Sequence, residues 1–298
     1  MINIPRLQKN ISLAPLTTYK IGGLADMFVV AKSKEELVNA VIEARENRIP
    51  YFILGAGANI LVGDKGYRGL VIKNEATNIT FANKKVIVDS GVVLSDLIKI
   101  TLEKNLSGLE HYVGIPSTIG GALWQNLHFL SPDRKTTLFI ESVLESAEIL
   151  DENSNLKVVD RDFFNFGYDY SILHDKNLLV TKVTFSLITR DKSLIKKQID
   201  ENLKWRNEKQ PQLTDFPSCG SVFKKIEGVG AGRLIEQVGL KGHTIGGAQV
   251  SIKHANYIIN LGNAKANDVV ELIRLIQNKV KSELGYELQP EITFVGEF

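Results

Sequence analysis

Three glycine-containing loops hold the residues best suited to chemistry, because each could bind a phosphate group. The first loop follows an apolar strand and contains Gly55 and Gly57. The second, residues 114–122, combines a proline, two hydroxyls and a glycine pair, and the third, residues 17–23, repeats the hydroxyl-then-glycine pattern. Glycine allows a positive φ and a close approach to the backbone, so successive N–H groups can face a phosphate.

Each loop taken alone is also typical of a tight turn. The first loop is not the dinucleotide-binding fingerprint, since Asn59 and Leu61 follow where a third glycine should open a helix. Three such loops in one chain nevertheless favour a phosphate-bearing ligand. On these residues alone, both the turn and the ligand interpretation stay open.

Composition excludes several other classes of function. The chain has 298 residues, 44% of them hydrophobic, and a formal charge of +2, which predicts neither a nucleic-acid nor a membrane-surface partner. No apolar run approaches the roughly 20 residues needed to span a bilayer, and the N-terminus lacks the core of a signal peptide, so we expect a cytoplasmic protein. Cys219 is the only cysteine and the histidines lack ligand spacing, so no metal site is predicted.

The pattern of apolar residues predicts an α+β fold. Residues 26–74 are typical of a strand, a helix and two further strands, the helix beginning at a capping box formed by Ser33 and Glu36. Longer β segments follow from Ile79 to Leu187, and they include a hairpin around the turn at residues 151–155.

Three further helices are predicted. The first lies near residues 95–105, and a charged helix at about 192–208 leads to a third region. The last helix is predicted to begin at Asn267 as its N-cap and to end at Gly285.

Six segments of the chain, spread nearly from end to end, are similar to UDP-N-acetylenolpyruvoylglucosamine reductases. The N-terminal TTYKIGGLAD resembles that family's NTxxIGGxAD, and LGAGANILVGDKGYRGLVI resembles its LGxGSNxLvxDxGfxGlVI. GIPSTIGGA and SCGSVFK resemble the family's GIPGTvGGA and SaGSvFK. The most specific matches are GRLIEQVGLKGHTIGGAQVSIKHANYIIN and LQPEITFVG near the C-terminus.

The resemblance implies a particular domain organisation within the α+β class. It implies an FAD-binding module of the vanillyl-alcohol-oxidase/PCMH type at residues 1–195, in two subdomains of about 1–74 and 75–195. An α/β substrate-binding domain would then occupy residues 196–298. The chain lacks the extra tyrosine-bearing loop of longer family members, which indicates the shorter class, and we expect a monomer.

The family's reaction is the reduction of UDP-N-acetylglucosamine enolpyruvate to UDP-N-acetylmuramate for peptidoglycan synthesis. By the resemblance, NADPH reduces FAD and leaves, and flavin N5 then passes a hydride to the substrate's vinyl carbon. Ser221 would donate the proton and Glu291 would stabilise the enol-like intermediate. Without the family pattern, Ser221 would be interpreted as one of many serines in a glycine turn, and Glu291 as a solvated charge at the edge of a strand. The residues implied to contact the cofactor are Gly55, Ala56, Gly57, Ala58, Asn59, Gly114, Ile115, Pro116, Ser117, Thr118, Gly120, Gly121 and Ala122.

Three segments depart from the family pattern, and the smallest change is Lys225, which stands where the family's FKNP has its asparagine. The family's YRxS carries an arginine that faces the substrate carboxylate, whereas Asp169 stands at that position here. After GGA the family continues with a methionine and NAGAYG, whereas this chain continues LWQNLHF. Three interpretations follow: Arg161 or Lys182 supplies the missing charge, the substrate differs, or the reductase step is lost. The matching alternatives are a related FAD-dependent oxidase and a catalytically silent binder of flavin or sugar nucleotide.

Overall fold

The computed structural model describes residues 3–131, 135–226 and 228–298. The chain forms two compact units. Unit 1 contains Val29–Ala56, Ile72–Arg206 and a short N-terminal stretch that ends at Leu7. Unit 2 contains Gln8–Phe28, Gly57–Val71 and Asn207–Phe298.

The described ranges contain eighteen strands, six α-helices and five short 3-10 helices. The strands are β1 Gln8–Ser12, β2 Leu24–Ala31, β3 Tyr51–Leu54, β4 Ile60–Val62, β5 Tyr67–Asn74, β6 Ile79–Ala82, β7 Lys85–Asp89, β8 Leu106–Ser107, β9 His128–Leu130, β10 Thr137–Phe139, β11 Leu144–Leu150, β12 Leu156–Asp160, β13 Leu179–Ser186, β14 Ile188–Thr189, β15 Thr244–Ile245, β16 Ala248–Val250, β17 Ile258–Asn260 and β18 Thr293–Val295. The α-helices are α1 Lys34–Glu46, α2 Leu94–Glu103, α3 Ile119–Trp124, α4 Lys192–Lys209, α5 Ala231–Gln237 and α6 Ala266–Leu284. The 3-10 helices are Ala14–Leu16, Glu110–Tyr112, Ile140–Val143, Asp162–Phe164 and Ile172–His174.

A five-stranded antiparallel sheet in the order β12-β11-β13-β7-β6 forms the centre of unit 1. Alternate side chains of a strand point to the same face, and Val86, Val88, Val183 and Phe185 accordingly share one buried face. Helix α2 adds its apolar stripe to this core. Each such buried side chain contributes roughly 1.5–3 kcal/mol relative to an exposed one.

Most of the predicted elements in unit 1 are present. The Ser33 hydroxyl caps α1 by accepting a hydrogen bond from the Glu36 N–H at 3.2 Å. The predicted hairpin is β11 and β12, and its turn is closed by the Asp151 carboxylate, which accepts from the N–H groups of Asn153 and Asn155 at 2.9 and 2.8 Å. Local polar side chains therefore fix both features, which is why the sequence pattern was sufficient.

Unit 2 is built around helix α6 and the antiparallel sheet β15-β16-β17. Two segments from the N-terminal third of the chain join it. Strand β18 pairs in parallel with β4, and the buried Asn260 side chain donates to the Tyr19 carbonyl at 3.0 Å. The boundaries of the units therefore differ from the predicted divisions after residues 74 and 195, because long-range pairing places 8–28 and 57–71 with the C-terminal region.

The start of α6 also differs from the prediction. Lys265, not Asn267, is the N-cap residue of this helix. The N–H groups of Ala266 and Asn267 instead donate to the two carboxylate oxygens of Asp64, at 2.8 and 3.1 Å. A side chain distant in sequence thus caps the helix. No helix in the described ranges is long and apolar enough to cross a membrane.

We expect Asp64→Ala to lower the free energy of unfolding by about 1–2 kcal/mol, the usual effect of removing a helix cap. Denaturant unfolding of the purified protein measures this change. The matched control is Asp162→Ala, because the Asp162 side chain is 83% exposed and pairs only with its neighbour Arg161. Equal effects of the two substitutions would contradict a capping role for Asp64.

Candidate cofactor and active site

The loop after β3 is distinguished by its backbone. Among the described residues, no N–H group of residues 55–59 donates a hydrogen bond to another protein group. Gly57 is buried, and the other residues of the loop are half-buried. Backbone N–H groups that are buried nearly always have a hydrogen-bond partner. This loop is therefore suited to an acceptor from outside the chain, and a diphosphate offers several oxygens.

Close packing against the 16–18 segment fixes Gly57. Its φ is +64°, and a Cβ there would lie 2.7 Å from the Leu16 carbonyl oxygen and 3.0 Å from the Thr17 Cα. Thr18 donates its N–H and its hydroxyl to the Gly57 carbonyl at 3.0 and 3.3 Å. The third loop, residues 17–23, thus packs against the first loop and holds it in place.

Lys73 lies beside the start of the first loop, where its ammonium donates to the Gly55 carbonyl. Burial lowers the pKa of Lys73, and the nearby charge of Glu75 opposes that shift. A lysine held at this position adds positive potential beside the unpartnered N–H groups. No sequence motif singled out Lys73, since its role depends on a contact across 18 positions in sequence.

The second loop, within unit 1, leads into α3. Thr118 is the N-cap of this helix, and its hydroxyl accepts from the Gly121 N–H at 3.4 Å. Gly120 donates its N–H to the Ser90 carbonyl at 2.7 Å. A Cβ on Gly55 would lie 2.5 Å from Thr118 Oγ1, so the structure brings the beginning of the first loop against the second.

The remaining predicted residues of the second loop divide into two groups. Among the described residues, the N–H groups of Gly114, Ser117 and Thr118 donate to no protein acceptor. Ala122 belongs to the core of unit 1, and Ile115 packs against that core. Pro116 and Gly114 are exposed. The loop therefore offers three N–H groups to a ligand, while its apolar side chains hold it in place.

Within unit 2 the backbone brings Asn59, Ser221 and Glu291 into one neighbourhood. The Asn59 side-chain amide donates to the Glu291 carbonyl at 3.3 Å, and the Thr293 N–H donates to the Asn59 carbonyl at 3.0 Å. The Glu291 N–H donates in turn to the carbonyl of Val222, the residue that follows Ser221, at 2.8 Å. The last residue of the first loop is thus tied to both predicted catalytic segments.

Ser221 lies in an open turn. Gly220 has a φ of +87°, and a Cβ there would meet no atom within 4 Å. The Ser221 side chain is half-buried, and its hydroxyl makes no hydrogen bond to any of the described residues. The hydroxyl is therefore available to a bound molecule.

Asn256 anchors the segment after Ser221. Its side chain accepts from the Phe223 N–H at 3.0 Å and donates to the Phe223 carbonyl at 2.9 Å. The Asn256 N–H donates in turn to His254 Nδ1 at 3.2 Å. The sequence analysis did not single out Asn256, although this residue lies in the KHAN motif.

Buried ionisable groups surround the Ser221 segment. Burial raises the pKa of the Cys219 thiol, and the carboxylate of Glu291 adds to the shift. Burial also raises the pKa of Tyr19 well above its usual value, with a further contribution from Cys219. These two groups therefore stay neutral at ordinary pH, and the described residues hold no cluster of ligands for a metal.

Two family models match the chain. An FAD binding domain matches residues 25–159, which include both the 55–59 loop and the 114–122 loop. The UDP-N-acetylenolpyruvoylglucosamine reductase C-terminal domain matches residues 210–295, which include Ser221 and Glu291. These matches confirm the predicted α+β class with an FAD-binding part followed by a substrate-binding part.

Curated relatives and one solved structure extend the similarity to nearly the whole chain. The UDP-N-acetylenolpyruvoylglucosamine reductase of Caldanaerobacter subterraneus subsp. tengcongensis is 44% identical over 94% of this chain and 91% of its own. The enzyme of that name from Listeria monocytogenes serotype 4b is 40% identical, over 98% of this chain and 95% of its own. The crystal structure of the reductase from Thermus caldophilus superposes with a TM-score of 0.81 at 32% identity, covering 97% of this chain and 99% of that chain.

The glycine loop generates a prediction for cofactor binding. We expect Gly57→Ala to weaken FAD binding at least tenfold, because its Cβ would collide with the backbone of residues 16 and 17 and displace the loop. Flavin absorbance of the purified variant measures retention. Gly239→Ala is the matched control, since Gly239 has a similar φ of +70° but no atom within 4 Å of a Cβ. Equal loss of flavin in both variants would contradict the assignment of residues 55–59 to FAD binding.

Lys73 generates a second prediction. We expect Lys73→Met to weaken FAD binding by roughly tenfold, or about 1.4 kcal/mol, because a charge beside the loop is lost while the apolar stem is kept. Flavin fluorescence titration of the apoprotein at two salt concentrations measures it, and the variant should lose part of the salt dependence. Lys84→Met, at an exposed lysine, is the control. An unchanged salt dependence in Lys73→Met would contradict the prediction.

Proposed function

Because this chain belongs to the UDP-N-acetylenolpyruvoylglucosamine reductase family, we propose that it uses NADPH to reduce UDP-N-acetylglucosamine enolpyruvate to UDP-N-acetylmuramate. The chain is an oxidoreductase of this family with an FAD-binding domain. The observation that carries the proposal is the 55–59 loop. Its N–H groups lack protein acceptors, and its last residue is bonded to the segment that carries Glu291.

The residues fit an FAD diphosphate for a physical reason. Peptide N–H groups without partners, glycines where a Cβ would collide, and the ammonium of Lys73 all favour an anion with several oxygens. The N–H groups of residues 55–59 would hold the diphosphate. When bound, FAD supplies hydride transfer at flavin N5.

Ser221 is proposed as the proton donor of the reaction. Hydride addition to the vinyl carbon leaves negative charge on the adjacent carbon, which bears the carboxylate, and a proton must be delivered there. The Ser221 hydroxyl has no hydrogen-bond partner among the described residues, so it can turn towards a substrate. The segment that follows it is held by the hydrogen bonds of Asn256 and of Glu291. A positioned proton donor contributes about a hundredfold to ten-thousandfold in rate.

Glu291 is proposed to stabilise the enol-like intermediate. It lies at the start of the segment that pairs with β4, and its backbone N–H bonds the residue after Ser221. This hydrogen bond holds the backbone of Glu291 beside the residue that follows Ser221. We further propose that the enzyme is monomeric and cytoplasmic. A single cysteine, Cys219, cannot form an internal disulfide, which is the usual pattern in proteins of reducing compartments.

A second candidate is an oxidase of the same FAD-binding class, and one observation favours it. Asp169 stands at the position of the family's substrate-facing arginine. Fast reoxidation of the reduced flavin by oxygen alone, with a donor other than NADPH, would support the oxidase.

The test is anaerobic stopped-flow absorbance of the flavin. We expect NADPH to bleach the oxidised flavin, and UDP-N-acetylglucosamine enolpyruvate to restore its absorbance. In Ser221→Ala we expect the bleaching rate to be unchanged and the restoration to be slowed at least a hundredfold, because only the second step needs the proton.

Ser282→Ala serves as the control, since the Ser282 hydroxyl bonds only the Lys279 carbonyl on α6. The reductase proposal fails if the wild-type flavin stays reduced in the presence of the enolpyruvyl substrate. The assignment of Ser221 alone fails if its variant restores the oxidised spectrum at the wild-type rate.

A further inference from the structure

One face of helix α6 forms a wall of a second pocket, which lies within unit 2. The pocket has a volume of about 670 Å³, and small-molecule sites usually measure about 300–1,000 Å³. Residues spaced by three and four positions along the helix line it, from Asn267 through Arg274 to Gln277, and such a stripe spans about 15 Å. Neither Ser221 nor Glu291 lines this pocket, so it is separate from the candidate active site.

The C-terminal segment supplies the apolar wall of the pocket through Pro290, Phe294 and Phe298. The Gln277 side-chain amide donates to the Leu288 carbonyl at 2.9 Å, which ties this segment to the helix. The rings of Phe294 and Phe298 meet at 66° with their centroids 5.6 Å apart. Phe294 is 43% exposed. An aromatic surface therefore remains open to a bound molecule.

Two opposite charges in the pocket lining, those of Glu271 and Arg274, have no partner in the protein. Both side chains are exposed, and neither makes an ion pair, a hydrogen bond or a ring contact with any residue that the structure describes. Residues three positions apart on a helix are neighbours, with about 5–6 Å between their Cβ atoms, yet these two do not pair. Lys279 and Glu283 on the same helix do pair, at 3.8 Å. Both charges of the pocket are therefore available to a ligand.

The arrangement of charges and rings selects one class of ligand. A simple anion would be attracted by Arg274 and repelled by Glu271, and a simple cation would meet the reverse. A zwitterion satisfies both, because a guanidinium binds a carboxylate in a two-pronged geometry and a carboxylate binds an ammonium. The aromatic wall favours a ligand that also carries a ring. An α-amino acid with an aromatic side chain combines these three groups.

We propose that this pocket binds a free aromatic amino acid. Arg274 holds the carboxylate, Glu271 holds the ammonium, and the ring lies against Phe294 and the other apolar residues of the wall. The site lies within one unit and uses no residue assigned to FAD or to the reaction. The proposal therefore goes beyond the proposed function and does not depend on it.

The test is a ligand-observed NMR titration of the full-length, FAD-loaded protein with L-tryptophan as the probe. Three analogues each lack one of the recognised groups: indole-3-propionate has no ammonium, tryptamine has no carboxylate and L-alanine has no aromatic ring. We expect L-tryptophan to bind most tightly. Each analogue that lacks one charge should bind roughly fivefold more weakly, as expected for the loss of one exposed charge pair.

Two substitutions assign the charges to their partners. Arg274→Met should weaken L-tryptophan and indole-3-propionate roughly fivefold and leave tryptamine unchanged, because tryptamine has no carboxylate to lose. Glu271→Gln should weaken L-tryptophan and tryptamine but not indole-3-propionate. Arg233→Met, at an exposed arginine of α5 outside the pocket, is the matched control and should change none of the affinities. Unchanged denaturant unfolding of the three variants would show that the fold is intact.

Failure of L-tryptophan to bind at millimolar concentration would overturn the proposal. So would equal binding of L-tryptophan and L-alanine, or equal weakening of all the ligands by Arg274→Met and Glu271→Gln. A protein that shows the expected pattern of binding but does not reduce the enolpyruvyl substrate would support the pocket while removing the proposed reaction. The two failures are therefore distinguishable.

Discussion

The structure depends on one constraint, which is that the backbone of residues 55–59 must be held in place without using its own N–H groups. Leaving a buried donor unpaired costs about 1–3 kcal/mol, so a loop of this kind persists only when its other atoms are fixed. Here the carbonyls carry the fixed contacts, because those of Gly55, Gly57 and Asn59 accept from Lys73, Thr18 and Thr293. The acceptors face the protein and the donors are left for a ligand.

Around Ser221, too, the neighbouring backbone groups are bonded within the protein while the group that would meet a ligand is not. The carbonyl of Val222 and both backbone groups of Phe223 are occupied by Glu291 and Asn256. The serine hydroxyl itself makes no such bond to the described residues. A group that must meet a substrate is held by the backbone of its neighbours, so that its own polar atom stays available.

Local signals predicted the elements well and the long-range arrangement poorly. The cap at Ser33 and the turn at 151–155 use side chains within a few residues of the backbone they bond, so their spacing was visible in sequence. The cap of α6 comes from Asp64, about 200 residues away, and no local pattern contains it. For the same reason, the sequence did not reveal the contact of Lys73 with Gly55 or the pairing of β4 with β18.

The departures from the family pattern illustrate what a fold adds to a motif. In sequence, Asp169 is an isolated change of charge sign, and the segment LWQNLHF is a separate change of bulk. Folding places a carboxylate from one beside an imidazole from the other, between aromatic rings. The two departures, separate in sequence, therefore form one local change in the folded protein.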